Sequence, residues 1–321
     1  MGTEIVKRMD VSSWTRSLTE TLGQSEKFWL KQPADGGATA GELWLYKPVT
    51  VHENDTRQIG DWCEYAVWQV AQSLNIQSAE ISLVTRDGRD GCLSRNVRPD
   101  GSWAMITGRR WLDADPDVSY SSAAARLSRR RSGASPGHSL ENIRVSLDGV
   151  VAPPGYPDGL TAWDVFCAYL VLDAVVGNRD RHEENWSIMR PLRGADALAP
   201  AYDMESSLGF QLQDEKRQTI LDDVSDGSLL RYAQRGTAWR FEGHKKTPLV
   251  EVAASSMAFC SPRGRSWVSG LVARASELDF VRLLQPVDGM SAVALRFSLM
   301  LLKTNVRRLE DAFSNSRSAG S

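Results

Sequence analysis

Over the first hundred residues the apolar positions come in short runs of strand length, broken by glycine and polar turns. Residues 26–31 (Glu-Lys-Phe-Trp-Leu-Lys) and 42–48 (Glu-Leu-Trp-Leu-Tyr-Lys-Pro) predict two strands rich in aromatic and aliphatic side chains. Gly36, Gly37 and Gly41 punctuate the connection between them. From Asp61 to Leu74 the pattern changes: Tyr65, Val67, Trp68, Val70, Ala71 and Leu74 recur at helical spacing. Two more strands follow at 80–85 and 92–97, joined by a turn at Asp87-Gly88, and the apolar residues Trp103, Met105 and Ile106 lead to Gly108. These elements predict a small, mostly β lobe with one helix, spanning residues 1–107.

The second half carries longer helical patterns. Residues 161–176 are apolar nearly all round, as in a helix buried on every side, with Thr161 placed to cap it and Gly177 to stop it. Residues 264–284 and 290–312 also predict helices, and the polar tail at 316–321 is expected to be disordered. Residues 113–137 are rich in Asp, Ser, Arg, Gly and Pro and predict a solvated insertion, with Arg126 and Arg129-Arg130-Arg131 as a possible docking patch. A β-rich first lobe and a helical second lobe (108–315) make a bilobal α+β chain, an architecture that commonly binds ligand in the cleft.

Composition narrows the function. The 321 residues, 42% hydrophobic, suffice for one sizeable core or two smaller ones. A formal charge of -2 argues against a chain built to neutralise nucleic-acid backbones, so nucleic acid is not expected as a partner. No apolar run reaches the roughly 18 residues of a membrane span, and the first twenty residues show no secretory pattern. Cys63, Cys92, Cys167 and Cys260 are scattered without a CxxC pair, as expected of reduced thiols in a cytoplasmic protein.

The candidate chemistry lies at Gly177-Asn178-Arg179-Asp180-Arg181-His182-Glu183-Glu184-Asn185, followed by Tyr202-Asp203. Phosphoryl transfer needs a carboxylate to orient the attacking hydroxyl, and an Asn and an Asp to hold magnesium against the phosphates. Asp180, Asn185 and Asp203 occur in that order, at the edges of apolar segments where unpaired polar groups are costly. Taken alone, the run could be a charged, solvated turn. His182 has no partner at metal-ligand spacing, which favours an imidazole that steadies the loop, with polarisation of the transferred phosphoryl group as the alternative. Lys47, just before the loop into the helix carrying Glu64, is the preferred phosphate cation, with Lys31 as competitor. Gly23, Gln24, Ser25 and Lys27 could form a turn over the phosphates, although the segment matches neither a Walker A loop nor a GxGxxG fingerprint. No GxSxG elbow is present.

Together these blocks resemble the HipA-like serine/threonine kinases, the bacterial toxin-kinase group. The matching stretches are Gly-Gln-Ser-Glu-Lys at 23–27, Leu45-Tyr46-Lys47-Pro48, residues 60–64 continuing through 71–76, the run 177–185, and residues 198–206. The resemblance implies a bilobal protein-kinase-like fold with one regulatory helix in the N-lobe and a mainly helical C-lobe. It implies Asp180 as base, Asn185 and Asp203 on Mg2+, Lys47 on the ATP phosphates, and Trp103, Met105 and Thr107 in a hinge touching adenine. It further implies a protein Ser/Thr acceptor and a possible antitoxin or regulatory partner. The run Asp180-Arg181-His182 with Asn185 is also similar to the phosphoinositide-kinase catalytic loop, so a small-molecule or lipid-headgroup kinase stays open, as does a nucleotide-binding regulator without catalysis. The chain starts close to the phosphate loop and is expected to be a short form lacking an extra N-terminal subdomain. Ser132 and Ser135, beside the arginines, are candidate autophosphorylation sites.

Overall fold

Strand periodicity explains the N-terminal sheet. In a computed structural model describing residues 5–19, 26–33, 42–51, 57–132, 135–223, 227–284 and 290–319, the chain opens with β1 (Met9–Asp10), β2 (Thr15–Thr19), β3 (Phe28–Lys31) and β4 (Leu43–Pro48). Helix α1 (Gly60–Ser73) follows, then β5 (Ile81–Arg86) and β6 (Arg89–Arg95). The strand order is β1-β5-β6-β4-β3-β2, with β1 parallel to β5 and the other pairs antiparallel. Alternation sends Trp44 and Tyr46 of β4 into one core with Phe28, Leu30, Val84 and Leu93. The same alternation turns Lys47 to the opposite face, where α1 packs on Ile81, Leu83 and Cys92.

A second sheet bridges the halves of the chain. β7 (Ala104–Thr107) pairs antiparallel with β8 (Ser187–Arg190), which pairs with β9 (Ala197–Leu198). The hinge stretch around 103–107, expected in the N-lobe, is therefore hydrogen-bonded to the strand that leaves the 177–185 run. Between β7 and β8 lie α2 (Gly108–Ala114), α3 (Ser122–Ser132), α4 (Leu140–Ser146) and α5 (Ala162–Val176). The 113–137 segment, expected as a solvated loop, is largely exposed over 113–128 but contains the helix α3, and its end at 135–137 packs against the candidate site.

All fifteen residues of α5 are buried. The Thr161 hydroxyl accepts the Asp164 N–H while the Asp164 carboxylate accepts the Thr161 N–H, and Gly177 closes the helix in the left-handed conformation at φ 71°. Each large apolar side chain along it contributes about 1.5–3 kcal/mol of burial, so α5 is a rigid platform for the loop that follows. α8 (Leu249–Ser256), α9 (Pro262–Glu277) and α11 (Ala292–Ala319) pack on α5, while α6 (Asp214–Asp222), α7 (Ser228–Gln234) and α10 (Phe280–Leu283) pack on α11. α11 runs on to Ala319, through most of the tail expected to be disordered from 316. Among the described residues, no helix is long and apolar enough to cross a membrane, and all four cysteines are buried and free.

Candidate active site

The site is assembled around Lys47. Its Nζ donates to Glu64 Oε1 and to Asp203 Oδ1, each at 2.6 Å. β4 supplies the ammonium and α1 supplies Glu64, whose side chain is only 2% exposed, whereas Asp203 retains 29% exposure. Burial pulls the Lys47 ammonium down, but Asp203 and Glu64 more than offset it and hold the group well above its ordinary value. Burial likewise pushes Asp203 up, yet Lys47 and Lys27 hold its carboxyl well below the usual carboxylate range. The charge of Lys27 therefore reaches the site. Lys31, the competing cation, is exposed at the end of β3. Asp203 sits at φ 61°, a left-handed conformation sparsely used by side-chain-bearing residues and costing on the order of 1–3 kcal/mol.

Glu205 is a carboxylate that sequence reasoning did not single out. It lines a narrow recess with Lys47, Glu64, Gly60 and Cys92. Burial pushes its carboxyl up to about 7, and Lys47 opposes the shift while Glu64 and Asp203 add to it. A group protonated near neutrality relieves repulsion among three neighbouring acids. Gly60 makes the fit possible: a Cβ there would lie 2.4 Å from Glu205 Oε1.

The 177–185 loop is tied down from inside. Asp173, near the end of α5, accepts Arg181 Nε at 2.5 Å and Arg181 Nη2 at 2.7 Å, a bidentate pair buried on both sides. Asn178 Nδ2 adds a third bond to Asp173 at 2.8 Å. Arg181 Nη1 donates to the Asn185 carbonyl at 2.9 Å, and Nη2 also reaches Met204 Sδ at 3.2 Å. One buried charge pair thus couples α5, the loop, and the residue after Asp203. The sequence signal for it was available: an Asp late in a nearly all-apolar helix needs a cation or several hydrogen-bond donors when buried. Asn185 Nδ2 donates back to the Asp180 carbonyl at 2.8 Å, and Asp180 N–H donates to Asn178 Oδ1 at 3.1 Å. His182 Nδ1 accepts the Glu184 N–H at 3.1 Å, a loop-steadying contact. The Tyr202 hydroxyl donates to the Glu184 carbonyl at 2.9 Å and lies 2.6 Å from Ser187 Oγ, fixing the strand-borne approach to Asp203.

Other expected residues fall as follows. Gly23, Gln24 and Ser25 lie outside the described residues. Met105 and Thr107 stand opposite Met189 and Ser187 in the second sheet, and Trp103 immediately precedes that strand. Thr107 Oγ1 is buried without a hydrogen-bond partner among the described residues. Ser132 ends α3. Ser135 is buried, and its hydroxyl donates to Glu183 Oε1 at 3.2 Å, so a phosphate could be added only after that contact opened.

A lysine bridging a helix glutamate and a loop aspartate, beneath a curled β-sheet and beside a helical lobe, defines a mixed α+β kinase-like fold. The profile of the HipA-like C-terminal domain matches residues 19–258, and the chain belongs to that family. Among curated proteins it is similar to Y4dM of Sinorhizobium fredii, which carries a provisional kinase name, at 26% identity over 180 residues. That match covers 56% of this chain and only 40% of the relative's length. Among solved structures it is similar in fold to the Helicobacter pylori proinflammatory kinase CtkA, with a TM-score of 0.63, 15% identity, and coverage of 96% and 98% of the two chains. It is also similar to HipA of Shewanella oneidensis, solved with HipB and operator DNA, with a TM-score of 0.51, 12% identity, and coverage of 96% and 69%.

Proposed function

We propose that the chain is an ATP- and magnesium-dependent kinase that transfers the γ-phosphate to a serine or threonine hydroxyl of a protein. The observation that carries this reading is the Lys47 bridge: one buried ammonium paired with Glu64 and aimed at Asp203. In such a site Glu64 orients Lys47 towards the nucleotide phosphates, and Asp180 orients the acceptor hydroxyl and takes its proton. Asn185 and Asp203 offer two hard oxygen donors, which suits a cation that keeps its waters and draws its other ligands from phosphates. Magnesium, when bound, would neutralise charge on the β- and γ-phosphates. Trp103, Met105 and Thr107 are the proposed adenine edge. The relative crystallised with HipB makes a regulatory protein the class of partner proposed here.

The test is γ-labelled ATP with magnesium and purified protein, wild type beside Asp180→Ala, followed by mass mapping of any label. Label on the wild type alone, on a serine or threonine, supports the reading. Turnover only with small-molecule or lipid-headgroup acceptors would move the assignment to that class. Magnesium-dependent ATP binding without transfer to any acceptor would favour a regulator, and absence of binding would remove the kinase reading.

A further inference from the structure

Asp180 has a partner that the kinase reading does not use. Arg240, sixty positions along the chain, donates through Nε to Asp180 Oδ1 at 2.6 Å, and its Nη2 also contacts Oδ1. We infer that Arg240 is a positioning residue of the catalytic centre, holding the Asp180 carboxylate in the orientation from which it receives the acceptor hydroxyl. This inference rests on the kinase reading of the site.

The support around Arg240 is what separates a positioning residue from a surface contact. Its guanidinium lies 3.9 Å over the Trp239 ring, and its side chain is 15% exposed. Its carbonyl is met at 2.9 Å by Nδ1 of His138, a residue with no exposed surface. Trp186 Nε1 donates to the other His138 nitrogen at 3.2 Å, so Nε2 is the acceptor and Nδ1–H donates to Arg240. Phe241 stacks on the same imidazole at 4.9 Å. Glu242 N–H donates to the His138 carbonyl at 2.8 Å, and Glu242 Oε2 accepts the Gly137 N–H at 2.9 Å. Three consecutive residues, 240–242, are therefore bolted to 137–138, and through Trp186 to the strand that leaves the catalytic loop. Gly137 is required there: it sits at φ 80°, and a Cβ would lie 2.4 Å from the Ser119 carbonyl.

Both Arg240 contacts fall on one carboxylate oxygen, which fixes the rotation of the group. Asp180 is already held at its backbone by Asn178 and Asn185, and Arg240 adds a hold on its side chain. A displaceable latch would need a mobile arm, whereas this arginine is anchored by a buried imidazole and a stacked indole. The 135–138 and 239–242 segments thus act as an outer brace for the proton acceptor.

Slow ATP hydrolysis to water tests this without a known acceptor. Wild type, Asp180→Ala, Arg240→Met and Arg240→Lys are compared for kcat and KM with MgATP and for MgADP affinity. Arg240→Met, which keeps the buried stem, is expected to lower kcat by at least about tenfold. KM and MgADP affinity should stay within about twofold of wild type. Added guanidinium should restore part of the rate, and Arg240→Lys should fall between, since an ammonium cannot reproduce the fork. Wild-type kcat in Arg240→Met overturns the inference, and a raised kcat identifies a latch instead. Parallel loss of kcat and MgADP binding without guanidinium rescue assigns Arg240 to folding alone. If wild type hydrolyses ATP no faster than Asp180→Ala, Asp180 is not the proton acceptor and the inference falls with that assignment, whereas absence of MgADP and MgATP binding by the wild type would remove the kinase reading itself.

Discussion

Asp173 and Arg181 form a buried bidentate pair at 2.5 and 2.7 Å that joins helix α5 to the 177–185 loop. Removing one partner strands the other charge in a low-dielectric interior. Asp173→Ala should therefore cost about 3–5 kcal/mol of stability, read by urea denaturation. Adding Arg181→Met to that variant should recover most of the loss, because no charge is then left unpaired. A double variant no more stable than Asp173→Ala would show that Arg181 contributes through its bonds to Asn185 and Met204 instead.

Lys47 is the group on which both carboxylates depend. In Lys47→Met, the phosphates would lose a charge-assisted contact, and MgATP affinity is expected to fall at least about tenfold. Isothermal titration measures this directly. Unchanged affinity would place the phosphates elsewhere.

Gly60 and Glu205 share one space. Gly60→Ala drives a methyl group against Oε1, 2.4 Å away in the present geometry, and should cost about 1–3 kcal/mol. In a Glu205→Ala background the same substitution should be much milder. Thermal unfolding of the four proteins forms the cycle, and additive effects would show that the two sites do not compete.

His244 sets an acid limit. Burial holds its imidazole below the ordinary value of 6.5, and its Nδ1 is buried without a hydrogen-bond partner among the described residues. The unfolded chain takes up a proton as pH falls through about 6.5, whereas the folded chain does so only at lower pH. The contribution is complete above that value and is lost as pH falls towards the folded value. The drop in melting temperature between pH 7.5 and 5.5 should be smaller in His244→Gln than in wild type. Equal drops would assign the acid sensitivity to other groups.

Much of the scaffold was legible. The all-apolar run at 161–176 became α5 with its cap at Thr161 and stop at Gly177, because burial on every side and terminal chemistry are local signals. β3 and β4 were equally clear from aromatic and aliphatic runs and β5 from its β-branched residues, whereas β6, expected at 92–97, occupies Arg89–Arg95. β2, Thr-Arg-Ser-Leu-Thr, was not, since an edge strand has little apolar burial to announce it. α3 was hidden by its Ser/Arg composition, which reads as solvated chain; of its described side chains only Ala125 is buried.

For the site, local spacing determined that Asp180, Asn185 and Asp203 lie on loops at the edges of buried elements, and strand alternation determined which face Lys47 takes. Only the tertiary structure decided that Lys47 meets Asp203 across 156 positions, that Glu205 enters the same recess, and that Arg240 reaches Asp180. The reason is physical. Periodicity, caps and turns act over one helical turn or one strand. The partner of a distant charge is selected by the docking of whole elements, whose driving force, apolar burial, does not specify which polar groups meet at the seam.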